Sequence, residues 1–254
     1  RQVYESIFSG EIDAKLQTQR RFLTVFFSDI RDFTRKTERL EPEALSEILN
    51  SYFSAMTEVA KEHGATIDKF VGDAILAFFG DPETLGVEKD AERCLKMAIA
   101  MKQQMAELQP KFARFGLSDE LQIRIGINSG YCTAGNFGSY DRLDYTIIGT
   151  PVNIAARLQD AADPNTILVS KSCHALVASK FQFLPRGKFE LKGIVDQVEA
   201  FEVIADEDKK SGRLGKSDER ITALKDQLAG IDTTQLDDAA RDELVSVLSE
   251  LLKR

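Results

Sequence analysis

An α+β sandwich of the ferredoxin-like type, with helices packed on a mostly antiparallel sheet, is the fold class this sequence predicts. Three observations predict it. Apolar runs of strand length come in pairs, long amphipathic stretches separate the pairs, and the order is β-α-β-β-α-β-β-α followed by further α and β. No internal repeat interrupts that order.

Each element has its own justification. Residues 1–20 carry Val3, Ile7, Ile12 and Leu16 at loosely helical spacing and end in the polar QTQRR, which predicts a lead-in helix or linker. "FLTVFFSDI" (22–30) is a continuous apolar run rich in Phe and Val, the pattern of a buried strand ending at Asp29. Pro42 then opens a helix in which Leu45, Ile48, Leu49, Tyr52, Phe53, Met56 and Val59 recur at steps of three and four, and Gly64 stops it. "TIDKFVGDAILAFFG" (66–80) reads as two strands joined by a Gly72-Asp73 turn. A second long helix, roughly 88–109, puts Ala91, Cys94, Leu95, Ala98, Ile99 and Met105 on one face. "LQIRIGINSG" (121–130) predicts a strand, and "YCTAGNFGS" a further strand running into a glycine-rich turn. "LDYTIIGT" predicts another strand, and "PVNIAARLQDAA" a helix with Pro151 in its first turn. "TILVS" (166–170), a helix to Lys180, and the segments "FQFLPRGKFELKG" and "QVEAFEVI" complete the domain near residue 204.

Beyond residue 205 the composition turns polar and glycine-bearing in "DEDKKSGRLGKSDER", which predicts a linker. The remaining tail is expected to be helical, with Leu244, Val247, Leu248 and Leu251 on one stripe. The division expected is therefore 1–20, 21–204 and 205–254.

Bulk properties narrow the function. At 254 residues, 43% hydrophobic and 29% charged, the chain has the composition of a soluble globular protein. A formal charge of −8 argues against a general nucleic-acid binder, yet permits a local basic pocket for a small phosphorylated ligand. Cys94, Cys132 and Cys173 are odd in number and form no C-x-x-C pair, so neither a zinc site nor a disulfide framework is expected. No apolar segment approaches the ~18–20 residues that span a bilayer, and no signal peptide is visible. The chain begins at Arg1 without a methionine, and reads as a cytoplasmic fragment whose upstream sensor or membrane anchor would lie in the missing part.

The chemistry lies in charged residues set into apolar surroundings. Asp29 ends the first buried strand and Asp73 sits at the hairpin tip; in a ferredoxin-like sheet those strands are neighbours. Two carboxylates at one sheet edge suit Mg²⁺, which takes one or two carboxylates plus substrate phosphates. Each aspartate alone reads equally well as a turn residue. Between the two, "DIRDFT" turns from strand into helix, where backbone N–H groups favour phosphate. Asn153 and Arg157, at i and i+4, share a helix face suited to clamping a ribose and a phosphoryl group; alone they read as a solvated surface.

Taken together, "VFFSDIRDFT", "DKFVGDAILAFFG", "IRIGINSG", "DYTIIGTPVNIAARL" and "FELKG" resemble, in order and over residues 22–204, the class III nucleotidyl cyclase catalytic domain. The resemblance implies an adenylate cyclase that converts ATP to 3′,5′-cyclic AMP and pyrophosphate. It implies two divalent cations, Mg²⁺ or Mn²⁺, bound by Asp29, Asp73 and the carbonyl of Ile30. Phe33 and Thr34 would wrap the triphosphate, and Arg124 and Lys192 would hold its terminal phosphates. Asn153 matches the ribose-orienting position and Arg157 the one that stabilises the pentavalent phosphorus. Lys69 and Thr146 match the purine-reading pair. The implied partner is a second copy in a head-to-tail homodimer, with metal ligands from one subunit and base readers from the other.

Lysine donates only and a threonine hydroxyl can accept, which fits N1 and the 6-amino group of adenine. Guanylate cyclases of the family place glutamate at the lysine position. One departure is Asp32, where the family usually has glycine: it is less free in backbone conformation and adds negative charge near the triphosphate.

Overall fold

A computed structural model of the chain describes residues 18–117, 119–139 and 142–205. The lead-in helix expected within 1–17 and the linker and tail helices expected within 206–254 lie outside the described residues.

Strand β1 runs from Thr18 to Ile30 and therefore begins inside the segment whose polarity suggests a linker. Its polar start is a strand because it has a partner: Thr18 to Phe22 pair with Gly135 to Tyr131 of β4 (Ile123–Ser139). Arg20 lies over the Tyr131 ring at 4.6 Å, and Arg21 forms an ion pair with Asp81 at 3.4 Å. Cross-strand contacts here outweigh composition.

A one-turn helix, α1 (Phe33–Thr37), precedes α2 (Pro42–Glu62), which starts at Pro42 and ends before Gly64, where φ is +71°. The hairpin follows as β2 (Thr66–Val71) and β3 (Ala74–Phe79). Helix α3 (Val87–Arg114) continues past Pro110, further than its apolar pattern suggests, because Phe112 on the added turn is buried in the core. β4 is one 17-residue strand where the sequence suggests two. Gly130 does not break it; pairing with β1 on one side and β5 (Arg142–Ile148) on the other carries the strand through. Helix α4 (Thr150–Ala161), β6 (Ile167–Ser170), α5 (Lys171–Val177, three residues shorter than expected), β7 (Gln182–Phe189) and β8 (Val198–Ile204) complete the fold.

The sheet order is β2-β3-β1-β4-β6-β8-β7, with β5 pairing β4 outside that path. Among the described strands, only β4 and β6 pair in parallel. Order 2-3-1-4 from a β-α-β-β-α-β chain is the ferredoxin-like core the sequence predicts. Side-chain alternation divides the strands between two layers. Phe26 and Ile30 pack in a core with Ile48, Tyr52, Met56 and Leu95 from α2 and α3, whereas Leu23 and Val25 pack with Leu76, Phe78, Ile147 and Ala155. All three cysteines are free and buried, so they serve the core, as expected. His174 does the same, stacked on Phe201 at 4.0 Å.

Candidate active site

The acidic edge is built by β1 and the β2–β3 turn. Gly72, at φ +62°, supplies the left-handed turn that sets Asp73 at the head of β3. There Oδ2 of Asp73 accepts a hydrogen bond from the Ile30 N–H at 2.8 Å. Asp29 is the neighbour of Ile30, so one amide ties the two carboxylates to the same end of β1. Burial pushes the Asp73 carboxyl up from its ordinary value; backbone amides oppose this, and the charge of Asp29 reinforces it. Asp29 is paired in register with Arg124 of β4. Arg124 grips it with two bonds, Nε donating to Oδ1 at 2.9 Å and Nη2 to Oδ2. Burial would lower the Arg124 pKa, but the hydrogen bond and charge of Asp29 turn the net shift upward.

Two carboxylates crowded at one edge, one of them half-buried and reluctant to ionise, are a donor set that a divalent cation would relieve. Among the described residues no group of three or more His, Cys, Asp or Glu side chains could hold a metal. A cation at Asp29 and Asp73 would thus need further oxygens from its ligand, the arrangement that suits Mg²⁺ with phosphates. The buried Tyr52 of α2 senses both carboxylates: burial first, then Asp73 and Asp29, pushes its phenol up. In the sequence Tyr52 is legible only as part of a core stripe.

Asp32 adopts φ +55° and ψ +31°, a left-handed conformation that explains why glycine suits this turn. Its carboxylate turns to arginines, lying 3.2 Å from Arg35 and 3.5 Å from Arg31. Phe33 then packs on the core and Thr34 is exposed. Both belong to the first turn of α1, whose N–H groups no intrahelical carbonyl can reach.

Lys69 and Thr146 come together through a residue to which the sequence pattern assigns no role. Asp68, 78 positions from Thr146, accepts a hydrogen bond from the Thr146 hydroxyl at 2.5 Å. Its other oxygen lies 3.3 Å from Nζ of Lys69. The Asp68 side chain is 1% exposed and that of Lys69 45%. The signal is present as a carboxylate beside the lysine in "TIDKFV"; what it touches is not.

A third cluster, which the sequence pattern also does not reveal, forms around Asp160. Its backbone oxygen accepts from Nη1 of Arg124 at 3.0 Å, and its carboxylate from Nη1 of Arg157 at 2.8 Å. Nε of Arg157 donates to the carbonyl of Lys192 at 3.2 Å. Arg124, Arg157 and Lys192, scattered in sequence, are thereby neighbours. Asn153 is exposed one turn before Arg157 on α4. No described hydrogen bond or ion pair joins the Lys69–Asp68–Thr146 cluster to the acidic edge.

A ferredoxin-like core that sets a carboxylate pair at a sheet edge and cations around α4 defines a domain of the nucleotidyl cyclase type. The chain belongs to the adenylate and guanylate cyclase catalytic domain family, whose profile matches residues 17–205. It is similar to the adenylyl cyclase CyaB from P. aeruginosa, with 46% identity and a TM-score of 0.73 over 75% of this chain and 97% of that one. It also resembles the guanylyl cyclase Cya2, with 32% identity and a TM-score of 0.69 over 74% and 95% of the two chains. Adenylate cyclase 1 of Rhizobium meliloti is 30% identical over 204 residues, covering 80% of this chain and 30% of that protein. The match therefore spans less than a third of that relative's length.

Proposed function

We propose that this chain is an adenylate cyclase domain, converting ATP to 3′,5′-cyclic AMP and pyrophosphate at the interface of a head-to-tail homodimer in the cytoplasm. The observation that carries the choice of ATP is the juncture of Lys69 with Thr146 at Asp68. Lys69 donates to N1 of adenine, and the Thr146 oxygen accepts from the 6-amino group. Guanine reverses both demands. The 46% identity with an adenylyl cyclase, CyaB, supports the same choice, whereas Cya2 shows that the fold also serves guanylyl cyclases.

The carboxylates of Asp29 and Asp73 and the carbonyl of Ile30 would hold two divalent cations, Mg²⁺ or Mn²⁺, whose chemistry there is to acidify the ribose 3′-hydroxyl and offset charge on the pyrophosphate. Around them Phe33 and Thr34 offer first-turn N–H groups to the triphosphate. Asn153 orients the ribose. Arg157 neutralises charge on the transferring phosphoryl group; Arg124, which grips Asp29 in this structure, would yield that carboxylate to the cations and with Lys192 hold the terminal phosphates. The scheme needs no side-chain base.

Exposed apolar residues flank the base readers: Phe70 (43%) and Val71 (58%) follow Lys69, and Ile148 (51%) follows Thr146. Such surface suits burial against a second subunit. The deciding experiment is product formation from ATP and GTP separately, with Mg²⁺ and then Mn²⁺, resolved by chromatography. Cyclic AMP from ATP alone is expected. Cyclic GMP at a comparable rate would overturn the choice of base while sparing the metal chemistry, and no cyclic product with either metal would overturn both.

A further inference from the structure

We infer that Asp68 is a specificity-determining positioning residue, which fixes the Thr146 hydroxyl as an acceptor and so turns a two-way group into a reader of the 6-amino group. The inference rests on the base-reading roles proposed for Lys69 and Thr146 and adds a residue to them.

A threonine hydroxyl has one hydrogen and two lone pairs, so on its own it serves adenine and guanine alike. It could accept from the 6-amino group of one or donate to O6 of the other. An ionised carboxylate only accepts. The Thr146 hydroxyl donates its one hydrogen to Oδ2 of Asp68, leaving an oxygen with lone pairs only. An incoming O6 then meets no donor there, and an incoming amino group meets an acceptor.

Three features make the arrangement a built one. The Asp68 side chain is 1% exposed, so water does not compete for its oxygens. The ladder between β2 and β3 shifts register between Ile67 and Lys69 and leaves Asp68 without a cross-strand partner. Such a bulge re-aims a side chain, and here it allows neighbouring residues to serve one cluster. Finally, the second oxygen of Asp68 faces Nζ of Lys69 at 3.3 Å, so the same carboxylate steadies the donor for N1.

The test compares kcat/KM for ATP, GTP and purine riboside triphosphate, which keeps N1 but lacks the 6-amino group, in the parent, Asp68→Asn and Thr146→Val. The amide introduced by Asp68→Asn can donate to the threonine oxygen and free its hydrogen to point at O6. In that variant the preference for ATP over GTP should therefore fall about tenfold or more, and the preference over purine riboside triphosphate should fall with it. Thr146→Val should lose the same discrimination. If Asp68→Asn keeps the parent ratios while Thr146→Val loses them, the base reading stands and the role of Asp68 is overturned. A uniform loss on all three nucleotides with unchanged ratios overturns it too, by marking a purely structural residue. If Thr146→Val also keeps the parent ratios, the base reading fails and takes this inference with it. Should Asp68→Asn not fold by circular dichroism, Asp68→Ala, which also frees the hydroxyl, is read by the same criteria.

Discussion

At the scale of single residues, Asp32 is where local conformation and function pull against each other. A left-handed conformation costs an L-residue about 1–2 kcal/mol, while glycine costs about 0.5–1 kcal/mol in unfolded-state entropy. The two exposed ion pairs to Arg31 and Arg35 offset little of the strain. Asp32→Gly is therefore expected to raise stability by no more than about 1 kcal/mol, read as a higher urea midpoint at unchanged slope. It should also lower KM for ATP, since it removes a carboxylate beside the turn proposed to wrap the triphosphate. A raised KM would mean that the Asp32–arginine pairs hold the turn in shape. Asp73 shows the same tension in another form: its burial disfavours the charge its proposed role requires.

At the scale of elements, the proposed site depends on how closely α4 lies on β4. A Cβ built on Gly126 would meet the Ala155 carbonyl oxygen and the Gln159 nitrogen at 2.2 Å, both of them α4 backbone. Backbone cannot swing aside as a side chain can, so Gly126→Ala must displace the helix that carries Asn153 and Arg157. We expect a loss of about 1–3 kcal/mol, the cost of overpacking, in urea unfolding, together with a fall in turnover. Near-parent turnover would show that the helix position tolerates the shift. Helices α3 and α5 are tied differently. Lys180, just beyond α5, and Lys96 pull the Glu92 carboxyl down to about 2 from its ordinary 4.5. The folded state binds that proton more weakly, so the stabilisation is present above 4.5 and is lost as pH falls toward 2. Glu92→Gln should lower Tm slightly at neutral pH, and the deficit should vanish near pH 2 and shrink in high salt.

At the scale of the whole molecule, the proposed dimer makes a prediction that no single subunit can fulfil. If metal carboxylates and base readers of one site come from different copies, Asp73→Ala and Lys69→Ala are each nearly inactive alone. Mixed, they form heterodimers with one doubly damaged site and one intact site. Random re-association should restore about a quarter of parent turnover, as two-fold symmetry dictates. Restoration would fail if each site were complete within one chain.

The course of the strands and helices is largely legible because hydrophobic periodicity is a local property: "FLTVFFSDI", the Leu45–Val59 stripe and the Gly72-Asp73 hairpin each declare themselves within a short window. The stretches that composition misplaces are those settled by distant partners. Thr18–Arg21 is a strand because β4 pairs with it, and α3 outlasts Pro110 because Phe112 is buried. The candidate site divides along the same line. Asp29, Asp73, Lys69, Thr146, Asn153 and Arg157 can be named as candidates from five ordered motifs, all of which lie within the residues 17–205 that the family match spans. Asp68 and Asp160 cannot be singled out, because their significance lies in contacts with Thr146, Arg124 and Arg157 that only the folded chain creates. Family membership and the chemical types present are written in the chain, since both are carried by residue identity and order. Which hydroxyl is held as an acceptor, and which arginine grips which carboxylate, is settled only on folding. A hydrogen bond depends on distances of a few ångströms between residues that the chain leaves far apart.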